Sequence, residues 1–95
     1  MHLMFRGKVW RLEWFPKSRL RAKTKGGPAY GLCDAPSVKG KKILVFNDMT
    51  PEKELEVLLH EGLHACSWDM AEEAVEETAR DLRKMLWRLG WRCER

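Results

Sequence analysis

The stretch "KKILVFNDMTPEKELEVLLHEGLHAC", residues 41–66, decides how this chain folds. Ile43, Leu44, Val45 and Phe46 follow one another, so an extended segment over 41–47 is apolar on both faces. A strand of that kind needs cover, and helices are the expected cover on one side. A helix follows at once. Thr50 suits the N-cap, Pro51 the first helical position, and Glu52 and Glu54 the positive end of the helix dipole. Leu55, Leu58, Leu59, Leu63 and Cys66 recur at helical spacing and predict its apolar stripe.

Working outward, "KVWRLEWF" (residues 8–15) alternates, with Trp10, Leu12 and Trp14 on one side and Val9, Arg11 and Glu13 on the other. That period predicts a half-buried strand, ended by Pro16. Five basic residues between Lys17 and Lys25, then Gly26, Gly27 and Pro28, predict a loop. "YGLCD" (30–34) reads as a short strand and "APSVKG" (35–40) as a turn. Downstream, "SWDMAEE" (67–73) breaks the first helix. Asp69 and Glu72 predict a capping box for a second helix. That helix runs to about Leu89, before Gly90, with Ala71, Val75, Thr78, Leu82, Met85, Leu86 and Leu89 on one face. The order β-β-β-α-α predicts an α+β fold, a small antiparallel or mixed sheet of about three strands packed against a two-helix hairpin. One domain spans 1–95, with a strand-rich basic half (1–49) and a helical hairpin (50–90).

Composition agrees with a single globular domain: 95 residues, 44% apolar and 34% charged. No apolar run approaches the ~20 residues of a membrane helix. The start "MHLMFRGKVW" lacks a signal-peptide pattern, so a cytoplasmic location and no membrane partner are expected. Cys33, Cys66 and Cys93 make an odd count without a CxxC, which suits reduced thiols. The net charge of +4 is uneven: residues 1–50 carry 11 Lys/Arg against 3 Asp/Glu, and residues 51–95 carry 7 against 11. The basic loop from Lys17 to Lys25 is a candidate nucleic-acid contact, with an ordinary solvated surface as the competing reading.

The chemistry concentrates at His60, Glu61 and His64. Two histidines four apart on a helix share a face, and both rings can reach one zinc ion at ~2.0–2.1 Å. In an HExxH pattern the glutamate does not bind the metal. It takes a proton from the attacking water, whose pKa the metal lowers, and passes it to the leaving amine. The third metal ligand must come from elsewhere. The turn near Trp68 brings residues 71–76 of the returning helix opposite the histidines. Glu73 is the expected ligand, and Glu72, Glu76 and Glu77 also come into consideration, Glu72 having a competing capping role. Asp81 is a candidate to orient a ligand histidine, or a salt-bridge partner of Arg80 or Lys84. Cys66 reads as a small buried thiol, and His2 lies far from the pattern.

"HEGLH" followed by "EEAVEETARDL" (72–82) resembles the gluzincin class of zinc peptidases, in which HExxH on one helix is completed by a glutamate on the next. The short chain and the Glu73–Ala74 step are similar to the ImmA/IrrE type of metallopeptidase, and small phage and prophage proteins resemble it in a "LWRLGWR"-like tail (86–92). The resemblance covers about residues 43–92. It implies zinc held by His60, His64 and a glutamate mapped to Glu73, and Glu61 as general base. It also implies a sheet whose edge strand binds an extended protein or peptide substrate. Peptidases of this class add a larger subdomain around the cleft, which this sequence does not show, and Tyr30 is its one candidate to stabilise the oxyanion. The competing function is a non-catalytic zinc-containing module that binds nucleic acid or a host protein through the basic half.

Overall fold

A computed structural model describes residues 1–16 and 30–93. Its strands are β1 (His2–Phe5), β2 (Lys8–Phe15), β3 (Gly31–Cys33) and β4 (Lys42–Phe46), followed by helices α1 (Pro51–Cys66) and α2 (Glu72–Arg88). The strands form one mixed sheet in the order β1-β2-β4-β3. β2 and β4 run parallel at its centre, and the short β1 and β3 flank them antiparallel. The α+β architecture is as the sequence predicts, with four strands in place of about three. The basic loop from Lys17 to Lys25 lies outside the described residues.

The extra strand comes from a two-residue hairpin. Phe5 pairs with Lys8, and the residues between them, Arg6 and Gly7, have φ of 50° and 81°. Positive φ at both positions is the turn that matches the twist of paired strands. Arg6 carries the steric cost of that conformation. Its guanidinium Nη1 donates to the Cys66 carbonyl at the end of α1 (3.2 Å), which ties the hairpin to the helix.

The alternation in β2 sets the core. Trp10 and Leu12 are buried and meet Ile43 and Val45 of β4 on one face of the sheet, where Val57 and Ala65 of α1 cover them. The indole Nε1 of Trp10 donates to the Asp34 carbonyl (3.1 Å). On the opposite face Leu44 and Phe46 pack with Phe15 and Leu32, so β4 is buried on both sides.

α1 starts as its sequence predicts: the Thr50 side chain accepts from the Lys53 amide (3.3 Å), and Pro51 takes the first helical position. Its sheet-facing stripe differs from the expected leucines. The buried positions are Glu54, Val57, Glu61 and Ala65, while Leu55, Leu59 and Leu63 are half-buried. The reason is that α1 packs against both the sheet and α2, so its leucines divide between two neighbours. α2 also departs from expectation at its start. Its N-cap is Ala71 with no side-chain cap, so the Asp69–Glu72 capping box does not form. Val75 and Ala79 are its buried residues, and Met85 and Leu89 are exposed rather than part of the stripe. Arg83 joins the two helices by bonding Glu56 (Nε to Oε1, 3.1 Å) and Glu52 of α1. No helix among the described residues is long and apolar enough to cross a membrane.

Candidate metal centre

Because α1 is regular from Pro51 to Cys66, His60 and His64 project side by side, with their Nε2 atoms 3.2 Å apart. The turn after Cys66 returns the chain so that Glu72 opens α2 directly opposite them. Glu72 Oε1 lies 3.0 Å from His60 Nε2, and Oε2 lies 3.0 Å from His64 Nε2. The three side chains form a possible metal-binding triad.

The third member is Glu72 rather than the expected Glu73. With no capping box to hold it, the Glu72 carboxylate lies against the two histidines while its side chain stays 59% exposed. Glu72 also stands one turn before the buried Val75, on the face that α2 presents to α1. Glu73 is rotated by about 100° from that face. Glu76 and Glu77, further along α2, lie outside the triad.

The donor set fits a metal ion. Ligands held at ~2.0–2.1 Å in tetrahedral geometry lie about 3.3 Å from one another, close to the spacings found here. Two imidazole nitrogens and a carboxylate converging this tightly also call for a shared cation or shared protons. Burial holds His64 below its ordinary pKa, with the Glu72 carboxylate opposing that shift. The neutral imidazole, which is the form that ligates metals, is thereby favoured.

Glu61 stands beside the triad, with Oε1 3.9 Å from His60 Nε2. It is only 4% exposed, and its Oε2 has no hydrogen-bond partner among the described residues. Burial, and then the charge of Glu72, push its pKa up to about 8. A buried carboxylate oxygen without a partner costs stability, which makes Glu61 a functional-site candidate.

Two cavities meet at the triad, each lined by Gly31, His60 and Glu61. The first, about 300 Å³, extends toward Tyr30, Lys53, Glu76 and Arg80. The second, about 580 Å³, extends toward Cys33, His64, Trp68 and Glu72. The edge strand β3 forms one wall of both. Tyr30 is partly exposed beneath Lys53, whose Nζ lies 5.1 Å from the ring centroid. Cys33 faces the second cavity, but burial and then Glu61 push its pKa up to about 12, which keeps it a neutral thiol outside the triad.

The remaining candidates lie apart. Asp81 is exposed and forms no ion pair among the described residues, so it orients neither histidine. Cys66 is half-buried at the end of α1, and His2 sits in β1 on the opposite sheet edge from β3. Gly31, Cys33 and Trp68 border the site without any local signal in the sequence, because only the strand order and the hairpin turn bring them there. In comparisons with known proteins, the chain matches no family model, no curated protein and no solved structure.

Proposed function

We propose that this chain is a zinc-dependent metallopeptidase of gluzincin-like arrangement, with His60, His64 and Glu72 holding the metal and Glu61 as general base. One observation carries the reading: a buried carboxylate, with one oxygen unpartnered among the described residues, lies directly beside two histidines and a glutamate that converge on a single point. Two His and one Glu are a donor set of catalytic zinc sites, which keep one position open, whereas structural zinc is usually closed by four Cys or His ligands. When bound, zinc supplies Lewis acidity that polarises a carbonyl and lowers the pKa of water toward about 7.

The protein's own groups supply the rest. Glu61 takes the proton of the attacking water and delivers it to the leaving amine, a role suited to a carboxylate whose pKa burial has already raised. Among the described residues no strand pairs with the outer edge of β3, which can receive the substrate. Tyr30 and Asp34 form backbone bonds with Phe46 and Lys42 of β4, so the alternation of an antiparallel pair turns the Gly31 and Cys33 amides and carbonyls outward. An extended peptide can pair with those groups while its scissile bond lies over the triad. Tyr30, in the cavity beside Glu61, is the candidate to stabilise the oxyanion. A cytoplasmic location and a phage or prophage origin belong to the same proposal. A nucleic-acid-binding zinc module would rest on the basic loop from Lys17 to Lys25, outside the described residues, and gains no support from the site.

The test is hydrolysis of a quenched-fluorescent peptide pool by zinc-loaded protein. Wild type should cleave members of the pool and stop when zinc is chelated. Glu61→Gln should keep its zinc and lose at least about 100-fold in rate. Equal rates for Glu61→Gln and wild type would overturn the proposal.

A further inference from the structure

Glu61 is held by packing rather than by hydrogen bonds among the described residues: its Oε2 has no partner, and its Oε1 lies 3.9 Å from His60 Nε2, beyond hydrogen-bond reach. What packs against it is the backbone of Gly31. A methyl group on Gly31 would lie 2.9 Å from Glu61 Cγ, 2.8 Å from Val57 Cγ1 and 3.2 Å from the Leu44 carbonyl oxygen. The first two separations are shorter than carbon atoms tolerate, and the third leaves little room to retreat toward β4. Gly31 is not one of the left-handed glycines of this chain, so its value lies in space and not in conformation. Val57 is buried and branched at Cβ, which leaves it few other rotamers. The group that would yield to a side chain at position 31 is therefore Glu61.

We propose that Gly31 is the positioning residue of Glu61. Its missing side chain lets the edge strand close directly over the Glu61 side chain and fixes its distance from the triad. Gly31 also lines both cavities at the point where they meet, so a side chain there would narrow the passage past Glu61. The catalytic consequence rests on the peptidase reading, while the packing relation between Gly31 and Glu61 does not.

The experiment uses the full chain and two readouts. The first is the urea unfolding midpoint in a double-mutant cycle. Gly31→Ala should lower the midpoint, and should lower it by less than half as much in a Glu61→Ala background, where the opposing Cγ is gone. An equal loss in both backgrounds would overturn the proposal. The second readout is kinetic, with the best-cleaved member of the peptide pool. Gly31→Ala should retain one zinc per chain and lose about 100-fold in kcat with a smaller change in KM, the size expected when a reacting group moves by about 1 Å. Adding Val57→Ala removes the other close contact. Measured against Val57→Ala alone, Gly31→Ala should still lower kcat by about 100-fold, because Glu61 remains displaced. Recovery of kcat would assign the effect to Val57 and overturn the role given to Glu61. If zinc-loaded wild type cleaves nothing in the pool, the peptidase reading falls and the catalytic role falls with it, and the unfolding cycle still decides the contact.

Discussion

Glu61→Gln should stabilise the metal-free protein at alkaline pH, and the zinc-loaded variant should lack the hydrolysis proposed for wild type. Glu61 is buried, and its pKa rises from an ordinary 4.5 to about 8, chiefly through burial. A raised native pKa means that the unfolded chain gives up its proton first. The associated stability is complete below about pH 4.5 and is lost as pH rises toward about 8. At about 1.36 kcal/mol per pH unit, the loss between pH 5 and pH 8 is about 3 kcal/mol. That is a large share of the stability of a domain this small, which is expected to lie near the low end of about 5–15 kcal/mol. Glutamine keeps the shape and carries no titrating proton, and every other group titrates in both proteins. Urea unfolding with a chelator present, at pH 5 and pH 8, reads the difference directly. Wild type should lose about 3 kcal/mol more than Glu61→Gln over that interval. Parallel losses would show that Glu61 titrates like a solvated carboxylate, and its role as a desolvated base would be refuted.

The same geometry makes two more outcomes measurable. The His64 pKa lies below its ordinary 6.5, so protons compete weakly for the triad and zinc should be retained until the pH falls below about 6.5; release that begins above pH 7, followed with a chromophoric chelator, would contradict this. Arg83→Ala removes the partly buried guanidinium that joins Glu52 and Glu56 to α2, and should cost about 1–2 kcal/mol in urea unfolding, with hydrolysis little changed at a temperature where the variant is folded.

What the sequence made legible was local. Thr50–Pro51 announces α1 because capping involves only neighbouring residues, and "KVWRLEWF" shows its strand because alternation needs no partner to be seen. HExxH is legible for the same reason, since a helix alone brings His60 and His64 together. β1 was hidden because its turn uses Arg6–Gly7 rather than the more recognisable Asn-Gly, and a tertiary contact from Arg6 to Cys66 steadies it. The leucine stripe of α1 misled because spacing reveals an apolar face but not which neighbour it meets. Glu72 and Glu73 could not be separated by distance alone. Their roles turn on where α2 begins, and the geometry of the 67–71 turn sets that start. Gly31 carried no signal at all, since its importance lies in what stands about 3 Å away across the fold.

We propose that His60, His64 and Glu72 hold a metal ion beside Glu61. Zinc stoichiometry by mass spectrometry on purified wild type, Glu72→Ala and Glu73→Ala tests it most directly. One zinc per chain in wild type and in Glu73→Ala, with zinc lost or much weakened in Glu72→Ala, is the predicted result. Zinc-free wild type, or zinc that survives Glu72→Ala and is lost in Glu73→Ala, would contradict it.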